Sequence, residues 1–325
     1  MDARRLGDGP IIGVQTDPSL GANIQGPSLI RVPPWIDDPL GRFYLYFADH
    51  KGSYIRLAYA DEVEGPWTVH RPGCLHLADS GFLTKAPSAT EAELAELADL
   101  YAALFGDGSF ARSLTTDAVT PHIASPDVHI DDTDRRIIMY FHGLDGLGIQ
   151  VSRAAVSTNG IDFTARPEVI GQPYLRAFRY DGWIYALTMP GQFLRSRDGL
   201  SSFELGPSLF GPDMRHSTVL VRGDVLHVFW TRVGDAPERI LRSTVGLDGD
   251  WMGWSESDPV EVLRPVHPWE GADAPVEPSV RSVAHGHVNQ LRDPAVFDDE
   301  GRLFLLYAVA GESGIALAEL DPVLR

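Results

Sequence analysis

The sequence predicts an all-β protein, a five-bladed β-propeller with one helical insertion between its first two blades. Two observations point there: a strand grammar recurring five times along 325 residues, and one Ala- and Leu-rich stretch that interrupts it. Each repeat holds a short apolar strand, a turn, an aromatic-rich second strand, a polar loop and a third strand ending in a turn. The first three read GPSLIRV, RFYLYFADHKG, YIRLAYADEVEGPW; SPDVHIDDTDRR, IIMYFHG, IQVSRAAVSTNGIDF; and LRAFRYDG, WIYALTMPG, QFLRSRDGLSSFE. The last two read RHSTVLVRGD, VLHVFWTRVGD, RILRSTVGLDGDWMGW; and RDPAVFDDEG, RLFLLYAVAG, SGIALAEL. Apolar runs rich in Val, Ile, Phe and Tyr, bounded by Gly, Asp and Asn, are strand signals. A repeat of about 45 residues with three or four strands has the size of a propeller blade. A two-sheet sandwich would share the strand spacing but not the recurring order. The segment IIGVQT, ahead of the first blade, is expected to supply an outer strand to the last blade, which closes the ring and removes a sheet edge. One domain over residues 1–325 follows.

Residues 75–120 break the repeat, and TEAELAELADLYAALFG within them reads as a helix. Thr90 with Glu93 makes a capping box, and Gly106 is the expected stop. Leu94, Leu97, Tyr101 and Leu104 would share one face. The insertion has two readings, a lid on the funnel or a surface brace.

Composition narrows the partners. The formal charge is −18, from 45 acidic and 27 basic residues. Such a surface repels phosphate backbones and anionic lipid, so neither nucleic acid nor membrane is expected as a partner. No run reaches the roughly 18 apolar residues of a membrane helix. The first residues lack the apolar stretch of a secretory signal, so a cytoplasmic location is expected. Cys74 is the only cysteine, which leaves no intrachain disulfide and no cysteine zinc site. No metal site and no cofactor are expected, although the ring is compatible with a structural cation in the channel.

Antiparallel order puts the start of each first strand and the loop between second and third strands on one face of the disc. The residues collected there are Asn23, Gln25, Asp49, His50, His122, Asp127, His142, Arg176, Arg215, His216, Arg232, Asp235, Glu238, Glu277, Arg292, Asp293 and Glu312. Charges converging on one rim are costly to bury unpaired, so together they point to a polar ligand. Asp127 and Asp293, each beside a proline at a strand start, are the leading catalytic carboxylates, with Glu277 and Glu238 as candidate proton donors. Gln25, Asp49, His50, His142, Arg176, Arg215, His216, Arg232, Arg292 and Glu312 are the expected substrate contacts. Trp35, Trp183 and Trp269 offer stacking faces for sugars. No nucleophile elbow and no phosphate-cradling glycine loop is present.

These tracts resemble the five-bladed propeller glycoside hydrolases of families 43, 32 and 62. EGPW resembles a turn frequent in family 43, SPDVH the second-blade segment carrying that family's auxiliary aspartate, and RDPAVF the "RDP" segments of families 32 and 43. The resemblance would map those aspartates to Asp127 and Asp293. The chain departs from it at two places. Gly26 in QGPSLIR stands where the family has its general base, and YLRAFRYDG offers Arg176 where the family has its acid. The expected function is a glycoside hydrolase acting on short glycosides or oligosaccharides, including furanosides. The alternatives are a non-catalytic propeller that binds a saccharide or protein partner, and a lyase or transferase acting on an acidic sugar.

Overall fold

The computed structural model describes residues 3–105 and 115–321. Its strands form five antiparallel sheets in sequence order. Blade 1 is β3 (Gln25–Arg31), β4 (Phe43–Ala48), β5 (Tyr54–Ala60) and β6 (Thr68–His76). Blade 2 is β7 (Ile123–Asp131), β8 (Arg136–Gly146), β9 (Ile149–Ser157) and β10 (Thr164–Ala165). Blade 3 is β11 (Arg176–Tyr180), β12 (Trp183–Thr188), β13 (Gln192–Ser196) and β14 (Glu204–Ser208). Blade 4 is β15 (Met214–Arg222), β16 (Val225–Arg232), β17 (Ile240–Gly246) and β18 (Val260–Leu263). Blade 5 is β19 (Arg292–Asp299), β20 (Arg302–Ala308) and β21 (Gly314–Leu320).

The ring closes on blade 5, but not with IIGVQT alone. The edge of β21 pairs with β1 (Ala3–Leu6) through Leu317–Leu320 and with β2 (Ile12–Gly13) through Gly314 and Ile315. Seven residues of β21 exceed what Ile12–Gly13 can cover, so the earlier ARRL tract takes the remainder.

The second strands carry long apolar runs, broken in β16 by His227, because each blade is covered on both faces. In β4 all six residues are buried. Tyr44 and Tyr46 join Ile137, Met139 and Phe141 of blade 2, while Leu45 and Phe47 join Phe304, Leu306 and Leu317 of blade 5. The same division repeats around the disc. Ile138 and Tyr140 meet Ile184 and Ala186, Tyr185 and Leu187 meet Val228 and Trp230, and Phe229 meets Leu303, Leu305 and Tyr307. Period-two alternation thus feeds two neighbouring interfaces, each large side chain contributing about 1.5–3 kcal/mol.

Near the axis, polar side chains stitch one blade to the next. Ser28 Oγ accepts the Val128 N–H at 2.9 Å, Asp127 Oδ2 the Ala177 N–H at 2.8 Å, and Thr218 Oγ1 the Val296 N–H at 3.2 Å. At the equivalent place in blade 3, Arg176 Nε donates to the Ser217 carbonyl at 2.8 Å. Inner strands lack an outer pairing partner on that side, and these bonds satisfy backbone groups the ladder leaves open.

Between blades 1 and 2 lies α1 (Glu91–Phe105). Glu93 N–H donates to Thr90 Oγ1 at 3.2 Å, and Thr90 N–H to Glu93 Oε2 at 2.8 Å, a reciprocal cap. Gly106 lies outside the described residues. Leu97 and Tyr101 rest against Gly148, where any side chain would collide with both. Leu104 instead faces solvent, so the helix docks through a narrower stripe than the sequence suggests.

Candidate active site

All five inner strands begin with the same backbone device. Residues Gly26, Ser125, Tyr174, His216 and Asp293 adopt φ of 64°, 51°, 61°, 48° and 48°. In four of the blades the pairing register slips directly around that residue, at Gln25/Ser28, Ala124/Asp127, Arg215/Thr218 and Arg292/Ala295. Left-handed backbone is strained for a residue with a side chain, and it persists where surrounding packing over-determines it. The side chains of Ser125, Tyr174, His216 and Asp293 all line one cavity of about 290 Å³. Gly26 brings none.

The cavity wall comes from the loops that antiparallel order predicts, plus the insertion. His50 and Lys51 follow β4, His142 and Gln150 sit on β8 and β9, Met189 follows β12, and Arg281 and Ser282 precede β19. Tyr101 of α1 and Asp117 also line it. Lys51 Nζ lies 3.4 Å from Asp117 Oδ1, and Ser282 Oγ donates to Asp117 Oδ2. The insertion is therefore part of the wall. Among the described residues no three His, Cys, Asp or Glu side chains are grouped to hold a metal ion.

Asp293 is the distinctive group. Tyr174 Oη donates to its Oδ1 at 2.5 Å, while Oδ2 is buried with no hydrogen-bond partner among the described residues. Burial, and then the charge of Glu312, push its carboxyl up to about 6. His216 Nδ1 lies 3.9 Å from Oδ1. Burial holds the His216 and His142 rings well below their usual range, with Arg215 and His122 respectively as the next contribution. The imidazoles are therefore neutral at pH 7 and cannot compensate the carboxylate. Burial and the Asp293 charge keep Tyr174 protonated, its phenol pushed well above the usual value.

Behind the wall runs an alternating chain of buried charges. Glu238 accepts from Arg215 Nε at 2.9 Å and from Arg215 Nη2, and its Oε2 is 3.3 Å from Arg292 Nε. Arg292 Nη1 donates to Glu312 Oε1 at 2.8 Å, which also meets His50 Nδ1 at 3.2 Å. Burial raises both glutamates, but the guanidiniums and, for Glu312, His50 outweigh it and leave each below its usual value. Both are ionised and fully engaged.

The structure distributes the residues expected from sequence among several surroundings. Gln25, His50, His142, Arg215, His216 and Asp293 line the funnel cavity together. Glu238, Arg292 and Glu312 stand behind it as ion pairs. Asp127 and Arg176 line a separate cavity of about 160 Å³ along the channel. Asp127 Oδ2 holds both the Ala177 N–H and His129 Nε2, the latter at 2.6 Å. Burial raises its carboxyl, and the His129 contact and Arg176 charge more than reverse this. Glu277 is exposed beside His285 and His287 in a third cavity. Asp49 accepts the Lys51 N–H at 2.9 Å and Arg232 stacks on Trp230, neither lining the funnel. Trp35 donates to Asp132, Trp183 lies between Arg195 and Arg197, and Trp269 stacks on His267, all away from the cavity.

Tyr174, Ser125, Lys51 and Asp117 are site residues that the strand pattern alone does not select. Tyr174 had a signal: it precedes Arg176 by two residues, as Ser125 precedes Asp127 and His216 precedes Thr218. Asp117 had none, since it follows the insertion helix rather than any blade repeat.

No family model matches the chain. Solved structures share its fold at low identity. A family 43 β-xylosidase/α-arabinofuranosidase from a compost microbial metagenome, in complex with xylotriose, superposes with a TM-score of 0.57 at 11% identity, covering 99% of this chain and 100% of that one. A putative glycoside hydrolase from Bacteroides ovatus gives 0.62 at 9%, covering 99% and 96%. An enzyme of family 43 from Xanthomonas citri, complexed with xylose, gives 0.57 at 11%, covering 96% and 89%. In sequence, "Uncharacterized protein R118" of Acanthamoeba polyphaga mimivirus is 37% identical over 325 residues, 92% of this chain and 83% of that protein. With that identity over nearly its whole length, the chain belongs to the same family as the viral protein, built on the five-bladed propeller fold of the family 43 glycoside hydrolases.

Proposed function

We propose that the funnel hydrolyses a glycosidic bond and that Asp293 takes and returns the proton. The observation that carries this is the state of Asp293: buried, bonded through one oxygen only, raised to about 6, and aimed into the cavity. A carboxyl near neutrality changes protonation at little cost at working pH, which acid–base catalysis requires. The position fits as well. Asp293 precedes Pro294 as Gly26 precedes Pro27, so the fifth blade carries a carboxylate where, by the family resemblance, the first would carry the base. A cavity of about 290 Å³ suits a short substrate or the end of a chain.

Solved neighbours with this fold are described as xylosidases and arabinofuranosidases, so those sugars head the test. The measurement is release of aryl leaving groups from xylosides, arabinofuranosides and galactosides by the intact protein and by Asp293→Asn. Asparagine keeps the shape but cannot take the proton. Turnover should fall by about 10² or more with folding intact. Equal rates in the two proteins would remove Asp293 from the chemistry.

A second reading, a saccharide-binding propeller without catalysis, draws on Gly26 and Ser125, which leave two of the five strand starts without an ionisable group. Sugar binding by calorimetry with no turnover across the panel would establish it. An acidic-sugar lyase draws little from the arginines, because Arg176, Arg215 and Arg292 are turned toward carbonyls and glutamates of the protein.

A further inference from the structure

Tyr174 and Asp293 stand at equivalent strand starts of blades 3 and 5 and meet at the cavity, with Oη and Oδ1 2.5 Å apart. A hydroxyl in contact with a carboxylate is the arrangement of a nucleophile and its base. The phenol is also held in place. Arg176 Cζ lies 4.2 Å from the Tyr174 ring centroid, and the His216 ring is packed 5.2 Å away. Arg176 Nη2 is buried with no hydrogen-bond partner among the described residues. A guanidinium under the ring favours negative charge developing on the phenolic oxygen. Asp117, the other carboxylate on the cavity among the described residues, is engaged by Lys51 and Ser282.

We propose that Tyr174 is the nucleophile of the hydrolysis and Asp293 its general base, so that cleavage passes through a glycosyl–tyrosine intermediate and retains anomeric configuration. This rests on the glycosidase reading above. In the first step the phenolic oxygen bonds to the anomeric carbon, its proton passes to Asp293, and an aryl leaving group departs with the bonding pair. In the second step water bonds to the same carbon and releases a proton to solvent, where it neutralises the departed aryl oxide. The bond to Tyr174 breaks in that step, and the phenolic oxygen recovers its proton from Asp293. No oxidant or cofactor enters the balance.

The experiment uses the full chain and the panel sugar that it turns over fastest. Its 2,4-dinitrophenyl 2-deoxy-2-fluoro derivative slows the second step more than the first, so an intermediate accumulates. The expected result is one added glycosyl mass on the intact protein, mapped to Tyr174 by peptide fragmentation, with a retained anomer as first product by proton NMR. Tyr174→Phe should lose about 10² or more in turnover and take up no label, while circular dichroism stays that of the unchanged protein. Inversion, a label on Asp117 or Asp293, or undiminished turnover in Tyr174→Phe each overturns the nucleophile while leaving the glycosidase reading in place. No turnover by the wild-type protein on any panel sugar overturns both.

Discussion

Asp127 and Asp293 stand in tracts that look alike, SPDVH and RDPAV, each an aspartate beside a proline at the start of an inner strand. Their environments are opposite. Asp293 occupies the left-handed residue itself, lines the funnel and keeps one oxygen unpartnered. Asp127 lies two residues further on, where the strand has begun, and its carboxylate clamps blade 2 to blade 3. The former is raised by burial, the latter held below its usual value by His129 and Arg176 despite burial. A two-residue offset along one strand therefore separates a group available for chemistry from a group spent on architecture. Glu238 belongs with Asp127, since Arg215 and Arg292 engage both of its oxygens.

The largest effect should come from the architectural side. Glu238→Ala leaves two buried guanidiniums without their shared anion, and losing one partner of a buried pair costs about 3–5 kcal/mol. Denaturant unfolding measures it. A loss below about 1 kcal/mol, the scale of exposed pairs, would place Glu238 outside the framework of the funnel.

The funnel side is tested by pH. With ionised Asp293 as the proposed base, turnover should rise through a pH of about 6 and fall below it. Asp293→Asn should abolish that limb in the residual rate. Stability should move the other way. The folded carboxyl binds its proton more tightly than the unfolded one, so the native state holds more protons between the two values. The stabilisation is complete below the unfolded value of 3.8 and is lost as pH rises through about 6. Unfolding midpoints from about pH 4 to about pH 7 in wild type and Asp293→Asn would read it. A wild-type slope no steeper than that of the variant would refute the raised carboxyl.

A smaller change is expected at the clamp. Asp127→Ala strands the Ala177 N–H near the axis and should cost about 1–3 kcal/mol, with turnover of the folded protein unchanged. Loss of turnover at unchanged stability would return Asp127 to the chemistry. The smallest effect falls on the silent strand start. Gly26→Ala places a side chain at positive φ, with its Cβ 3.1 Å from Ser125 Cα. Left-handed backbone costs an L-residue about 1–2 kcal/mol. An unchanged melting temperature would mean that the strand starts tolerate side chains freely.

By itself the sequence determined the blades. Strands covered on both faces must be largely apolar, and FYLYFA, IIMYF, VLHVFW and RLFLLYA carry that requirement in local composition. The five repeats follow from it, as does the placement of His50, His142, His216 and Asp293 on one face, since antiparallel order fixes which strand ends coincide. The outer strand of blade 5 was legible only in part, because β1 pairs with the opposite end of the chain and no local pattern encodes its register. Only the tertiary structure decided which carboxylates are free. Glu238 meets Arg292, and Asp127 meets Ala177, across blade boundaries, at sequence separations that strand periodicity does not report. Tyr174 reaches Asp293 from 119 positions away, brought there by ring closure. Protonation follows the same division: a carboxylate's type is written in the chain, but its burial and its neighbouring charges exist only once five blades enclose it.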